Sequence, residues 1–447
     1  MSAARLWWSL VRRQEAQRLT TVLAVVAFTT ATGALLTVLG GLRAFTGRAD
    51  RPNAEFYLLC ARTATVILVV PVLTLGGAAA RLAVSRRDER LASLRLAGAT
   101  TGQVSLMTVL DAGLQSLAGA VAGVLLYLAA LPGVALIRFQ GRTFAWSELW
   151  VGLPVLLLGV LGVVVLAVVS AVLGLAKIAV SPLGVARRTS PRRLSSLRLV
   201  VAVVVLGAWA PLFSASSSVQ ELTGALVVLG ACFGVLNLVG PLVLGLIGRV
   251  AARRARGVPG LLAARRLVDD PRSAWRAVAG VSLATFVAGV LSVAPALSGS
   301  AQSDPDSVQL GRDVLTGAIV TVVIAALVAA VSSGVTQAAR ILDHREQYTM
   351  LHLAGAEVRV LERARQAETW LPLLASVGIA AGCALVVAAP VGLPSITTGA
   401  GGLGLFVGGV VVSVLMVAGA VRLSQPLVGR VALGRMRARD ESLVVCG

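Results

Sequence analysis

Apolar residues run through this chain in continuous blocks, and the polar residues gather between the blocks. Ten blocks can be marked, at about 20–42, 60–84, 105–136, 150–178, 197–214, 222–248, 276–297, 313–340, 366–391 and 402–423. A helix needs roughly 20 apolar residues to cross a bilayer's hydrocarbon core, so each block is a candidate span. Blocks well beyond that length extend past the bilayer or tilt within it. Strands of a membrane barrel alternate apolar and polar positions in short segments. These blocks are unbroken, so the pattern predicts an all-α polytopic membrane protein. The opening "MSAARLWWSLVRRQEAQRLT" is basic and amphipathic. It reads as an interfacial elbow helix, with Trp7 and Trp8 at headgroup level, leading into an uncleaved first span.

Composition agrees with this class: 57% of the 447 residues are hydrophobic and 13% charged, against roughly 25% charged in soluble domains. The formal charge of +20 would raise nucleic acid as a partner in a soluble protein. Here the cations sit between spans, where they act as topology signals and headgroup contacts, so no nucleic acid is expected. Of the 40 Lys and Arg residues, seven (Arg43, Arg48, Arg51, Arg62, Arg138, Arg142 and Arg312) fall on one side of a ten-span topology, and the other 33 on the opposite side. Basic loops stay cytoplasmic. The asymmetry predicts ten spans with both termini inside, and a count changed by one would destroy it. The outer loops are too short for an independent domain, which takes at least about 50 residues.

The chain also repeats. "ERLASLRLAGA" (Glu89–Ala99) and "EQYTMLHLAGA" (Glu346–Ala356) share Glu, Leu, Leu, Ala, Gly and Ala in register. Each falls on the inner side between the second and third spans of a four-span unit. The same offset places Asp111 opposite Glu368, both near the membrane entry of equivalent spans. Basic elbows precede both units, and "SPLGVARR" after the fourth span resembles "QPLVGRVA" after the tenth. The predicted organisation is an elbow plus four spans over 1–195, two linking spans over 196–250, and a second elbow plus four spans over 251–447. An even number of linking spans makes the repeats parallel.

At each motif the helical pattern runs beyond the membrane. Gly98 and Gly355 then supply the left-handed stop that ends a helix. One such segment would be an ordinary charged loop. Two copies at matched positions point to paired handles for a cytosolic partner. The motif, placed between the second and third spans of a four-span unit, resembles the FtsX-like permeases, the membrane subunits of MacB-type (type VII) ABC transporters. Two units with two spans between them resemble the ten-span Bce-type permeases, without their large extracellular domain. The resemblance implies that segments 86–104 and 343–361 contact two copies of a cytosolic ABC ATPase. The coupling residues would be Arg87, Glu89, Leu94, Leu96, Gly98 and Ala99 in the first handle. Arg345, Glu346, Leu351, Leu353, Gly355 and Ala356 would serve in the second.

A phosphate-binding GxxxxGK[ST] loop requires a lysine. The single lysine, Lys177 in "GLAKIAV", has neither the preceding Gly nor the following Ser or Thr. The chain is thus expected to be a non-catalytic subunit without a cofactor, with ATP and Mg held by the partner. Cys60, Cys232, Cys383 and Cys446 show no metal-ligand spacing and are expected to form no disulfide, and His344 and His352 lack a third ligand. Asp111 and Glu368 read either as a route for ion coupling or as partners for handle arginines. Glycine-dense stretches such as "SLAGAVAGVLL" are either close-packing surfaces or compositional bias. The resemblance implies mechanotransmission, with ATPase closure pushing on the handles to export or extract cargo. Greasy, uncharged spans favour an amphipathic cargo: a lipid, lipopeptide or hydrophobic antibiotic, hence antibiotic resistance. The expected location is the bacterial plasma membrane, among its lipids. Competing readings are an ion-coupled secondary transporter and a cargo-free envelope signalling protein.

Overall fold

A computed structural model describes residues 15–85, 101–179, 193–215, 219–255, 257–292, 305–343 and 370–389, with parts of 403–419. The N-terminal elbow, both motif handles, Glu368 and Cys446 lie outside the described residues. Helices α1 (Glu15–Thr46), α2 (Ala54–Ser85) and α3 (Thr101–Ala135) come first. A two-stranded hairpin, β1 (Arg138–Phe139) and β2 (Arg142–Thr143), precedes the one-turn α4 (Trp146–Leu149). Then follow α5 (Leu153–Ala179), α6 (Arg193–Ala215), α7 (Val219–Arg254), α8 (Val258–Asp269), α9 (Pro271–Leu291) and α10 (Pro305–Asp343). A further helix, α11, covers Trp370–Ala389, and the described parts of 403–419 are helical.

The protein is therefore an all-α polytopic membrane protein. Eight helices are long and apolar enough to cross a membrane, and they correspond to the expected first four spans and the sixth to ninth. The expected fifth span falls in α6, within which Val200–Pro211 is an apolar helical stretch. The expected tenth falls on the helical parts of 403–419. The first two boundaries also move: α1 runs on to Thr46 and α2 starts at Ala54, which shortens the loop between them.

The stretch expected to form the elbow before the second unit holds α8, an amphipathic helix packed against α7 and α9. Asp270 ends it and caps α9: its Oδ1 accepts the Ser273 N–H at 3.0 Å, with Pro271 at the first helical position. That pairing satisfies one free helix-end donor and places proline where no N–H is needed.

In the first unit, α1 packs against α2, α3 and α5. The α1–α3 crossing is close because glycines line it. A methyl on Gly123 would meet the Thr29 carbonyl at 2.8 Å, and one on Gly119 would meet the Val25 carbonyl at 3.0 Å. Lipid tails are as apolar as leucine, so backbone approach of this kind is what joins helices in a bilayer. In the second unit Gly280 sits against the Ala329 backbone between α9 and α10, and Gly289 abuts Ala384 of α11.

The helices of the expected first and second units meet along α2 and α10, and α10 also touches α1. Helix α7 fills the space beside them, contacting α2, α6 and α9. Two tryptophans fasten this linking pair: Trp209 Nε1 of α6 donates to the Val387 carbonyl of α11 at 2.7 Å. Trp275 Nε1 of α9 donates to Asn237 Oδ1 of α7 at 3.3 Å. The largest buried cluster, including Leu236, Leu283, Phe286 and Ala384, lies between these elements.

Candidate functional site

The densest polar construction among the described residues lies on the face that carries the α1–α2 and α3–α5 connections. By the arginine asymmetry this is the expected outer face. Residues 136–152 do not simply loop there. They form a folded cap of hairpin and single helical turn over the ends of α1 and α2.

The hairpin "RFQGRT" pairs Phe139 with Arg142 around a two-residue turn. Both turn residues have positive φ, 55° at Gln140 and 76° at Gly141. Turns of this hand match strand twist and require two left-handed residues. Glycine takes that conformation freely, whereas an L side chain such as glutamine resists it.

Arg48, at the end of α1, holds the cap down. Its side chain is only 4% exposed. Its Nε and Nη2 donate to Glu148 Oε1 and Oε2 at 3.2 and 2.6 Å, a two-point pair. Its remaining donors reach the Phe139 carbonyl at 3.2 Å and the Thr143 carbonyl at 3.1 Å. The guanidinium carbon lies 4.4 Å from the Phe144 ring centroid. Phe45 packs edge-on against Phe139 and Phe144 and stacks on Tyr57. Glu148 also accepts the Ala145 N–H at 3.0 Å. One cation therefore connects both strands, α4 and the aromatic cluster, and its planar fork is what makes so many directed contacts possible.

The break between α4 and α5 is closed in the same way. Non-helical backbone near a bilayer must find partners within the protein. The Tyr127 hydroxyl donates to the Leu149 carbonyl at 2.6 Å and accepts the Val151 N–H at 3.2 Å. Arg43 Nη1 donates to the Val151 carbonyl at 2.7 Å. Gly152, at φ +84°, makes the turn into α5. Trp146 and Trp150 are exposed on the cap, as expected of indoles at a membrane–water boundary. An open hollow of about 310 Å³ lies beside the cap between Arg43, Thr46, Ser147 and Glu148. The two charged groups of its wall are already engaged in the contacts above.

The cap also reaches across to the second unit. Asp313, near the outer end of α10, is buried. Its Oδ2 accepts the Tyr57 hydroxyl at 2.7 Å and the Gln140 N–H at 2.7 Å. Next to this junction, a methyl on Gly141 would meet Gln309 Nε2 at 3.0 Å, and Phe139 lies against Gly317. The α2 and α10 ends are thus joined at the outer face through one carboxylate and the hairpin.

Of the residues singled out from the sequence, Asp111 is described: it lies on an exposed face of α3. The twelve coupling residues and Glu368 are outside the described residues. Sequence reasoning treated Arg43, Arg48 and Arg142 only as outer charges and passed over Tyr57, Gln140, Glu148 and Asp313. The one legible sign was the Gln-Gly pair in "RFQGRT", a two-residue hairpin turn. Cys232 and Cys383, far apart in sequence, belong to one packed cluster and are free thiols.

Comparison with the curated proteins returns no match, and comparison with the solved structures returns none either. Residues 62–180 match the family model described as FtsX-like permease C-terminal. That stretch begins in α2, crosses the first motif segment, takes in α3 and the cap, and ends at the close of α5. Over residues 62–180 the chain is thus similar to the C-terminal domain of FtsX-like permeases.

Proposed function

We propose that this chain is the membrane subunit of an ABC transporter, driven by separate cytosolic ATPase subunits and exporting or extracting an amphipathic cargo. The family match across α2, the first motif segment, α3 and α5 carries the reading. The packing of α2 on α10 supports it. α2 is described up to Ser85 and α10 up to Asp343, directly before the two motif segments in the sequence. Each helix therefore leads directly into one motif segment, and the two lie against one another in the middle of the protein. A push on both segments would travel along two packed helices of 32 and 39 residues. At about 1.5 Å per residue, each exceeds the thickness of the hydrocarbon core.

In this reading two ATPases dock at segments 86–104 and 343–361, hold ATP and Mg, and transmit closure to the outer face. Affinity purification from the native membrane tests it. An ABC ATPase is expected to co-purify, and to be lost when Glu89 and Glu346 are changed to Lys or when Gly98 and Gly355 are replaced. A preparation with no ATPase, whose transport stops on collapse of the proton gradient, would instead favour the ion-coupled reading.

A further inference from the structure

The Tyr57–Asp313 bond ties together the outer ends of the two helices that lead into the motif segments. We propose that Tyr57, Asp313 and the hairpin backbone at Gln140 form a latch that holds the outer ends of α2 and α10 together in the closed arrangement, and that opening of the outer face requires its release. The proposal rests on the transporter reading for its role, but not for its existence.

Three observations carry it. The bond is the point at which an ionisable side chain of one unit meets the other unit within the outer cap, and both partners are buried. A buried hydrogen bond to a carboxylate is among the stronger and more directional contacts a protein makes. Position is the second. Tyr57 lies in the first turn of α2, and Asp313 lies in the first helical third of α10. Both are remote from Ser85 and Asp343, beyond which the motif segments follow in the sequence and force would enter. A contact there governs whether a push at the far end parts the helices or moves them together.

The third is that the closed arrangement is held under strain. Gln140 takes a left-handed backbone conformation, which an L side chain adopts reluctantly. Its N–H is directed at Asp313 in that conformation. Its side-chain amide is buried with neither Nε2 nor Oε1 partnered. An unpaired buried amide raises the energy of the state that contains it. Release of the hairpin from α10 would relax the turn and hydrate the amide, at the expense of the two bonds to Asp313. Such opposing terms keep two arrangements close in energy, as a switch requires.

The test uses the full chain in lipid nanodiscs, with Cys60, Cys232, Cys383 and Cys446 replaced by Ser. Spin labels are placed at Arg51→Cys and Arg312→Cys, both exposed positions beside the latch. Pulsed dipolar spectroscopy then reports the distance between the outer ends of α2 and α10. The unsubstituted latch is expected to give one narrow distance. Tyr57→Phe and Asp313→Ala are expected to add a longer-distance population, with the open-to-closed ratio raised roughly tenfold by loss of a bond to a charged group. Asp313→Asn retains an acceptor for Tyr57 and is expected to restore most of the narrow peak. If Asp313→Ala fails to fold, Tyr57→Phe decides alone, since it removes one oxygen and keeps the ring. Distance distributions for Tyr57→Phe that superimpose on the parent would overturn the latch. A vanadate-trapped complex with the co-purified ATPase separates the two claims. A lengthened distance there with no effect of Tyr57→Phe sinks the latch alone. An effect of Tyr57→Phe with no response to nucleotide supports the latch and counts against the transporter reading.

Discussion

Replacing Arg48 by alanine removes the cation that joins both strands and α4 of the outer cap. The side chain is 4% exposed, and its carboxylate partner Glu148 is 21% exposed. Breaking a buried ion pair by deleting one partner costs about 3–5 kcal/mol, because the remaining charge stays behind unpaired. Water reaches Glu148 in part, which moves the expected loss toward the low end of that range. The Phe139 and Thr143 carbonyls also lose their donor, and the Phe144 face loses its cation. These contributions are coupled and do not simply add. The net expectation is about 3 kcal/mol, somewhat more than a hundredfold in the unfolding constant. Arg142 provides the control. It also approaches Glu148, at 3.5 Å, but its side chain is 51% exposed. Exposed pairs contribute on the order of 0–1 kcal/mol, so Arg142→Ala should lie within about 0.5 kcal/mol of the parent. Arg48→Lys keeps the charge but loses the fork, and should fall between them. Reversible unfolding in mixed detergent micelles measures all three on one scale. A double-mutant cycle with Glu148→Ala should give a coupling of about 2 kcal/mol for the Arg48 pair. An Arg48→Ala protein as stable as Arg142→Ala would refute the reasoning that the buried Arg48 pair holds the cap.

Other expectations follow from the same packing. Gly123→Leu should separate α1 from α3, since even a methyl would lie 2.8 Å from the Thr29 carbonyl; a loss of about 2 kcal/mol or more in the same unfolding assay is expected. The same change at Gly234, where a Cβ meets nothing within 4 Å, should be nearly silent. Tyr127→Phe leaves the Leu149 carbonyl and Val151 N–H without their partner and should cost about 1–3 kcal/mol. Faster hydrogen exchange confined to the α4–α5 junction would be its signature. Trp209→Phe removes the donor to the Val387 carbonyl; proteolysis of the intact chain should show easier cleavage around α6, with the rest of the bundle resistant.

Much of the architecture was legible in the chain because a bilayer restricts the choices so severely. A backbone crossing hydrocarbon must satisfy its own polar groups, so long apolar blocks can only be helices. That rule located the spans, and the arginine distribution gave their expected orientation. The helix α8 before the second expected unit was also legible, as a basic stretch leading into an apolar block. The glycines were harder. "SLAGAVAGVLL" states that close approach is possible at Gly119 and Gly123, but the sequence could not say whether a partner was there. Gly119 and Gly123 meet the α1 backbone, whereas Gly234 and Gly408 face open space. Spacing along one helix carries no information about what packs against it.

The outer cap belongs to the same class. Arg48, Tyr57, Glu148 and Asp313 read singly as polar residues near span ends, which every membrane protein has. Their roles arise from pairings across 100 and 256 residues of chain. Such pairings depend on where helix ends arrive after the bundle has packed. What the sequence determined by itself was the set of helices, through the cost of bare backbone in lipid. What only the tertiary structure decided was which charges leave water together, because burial and partnership are properties of assembled surfaces and not of any one segment.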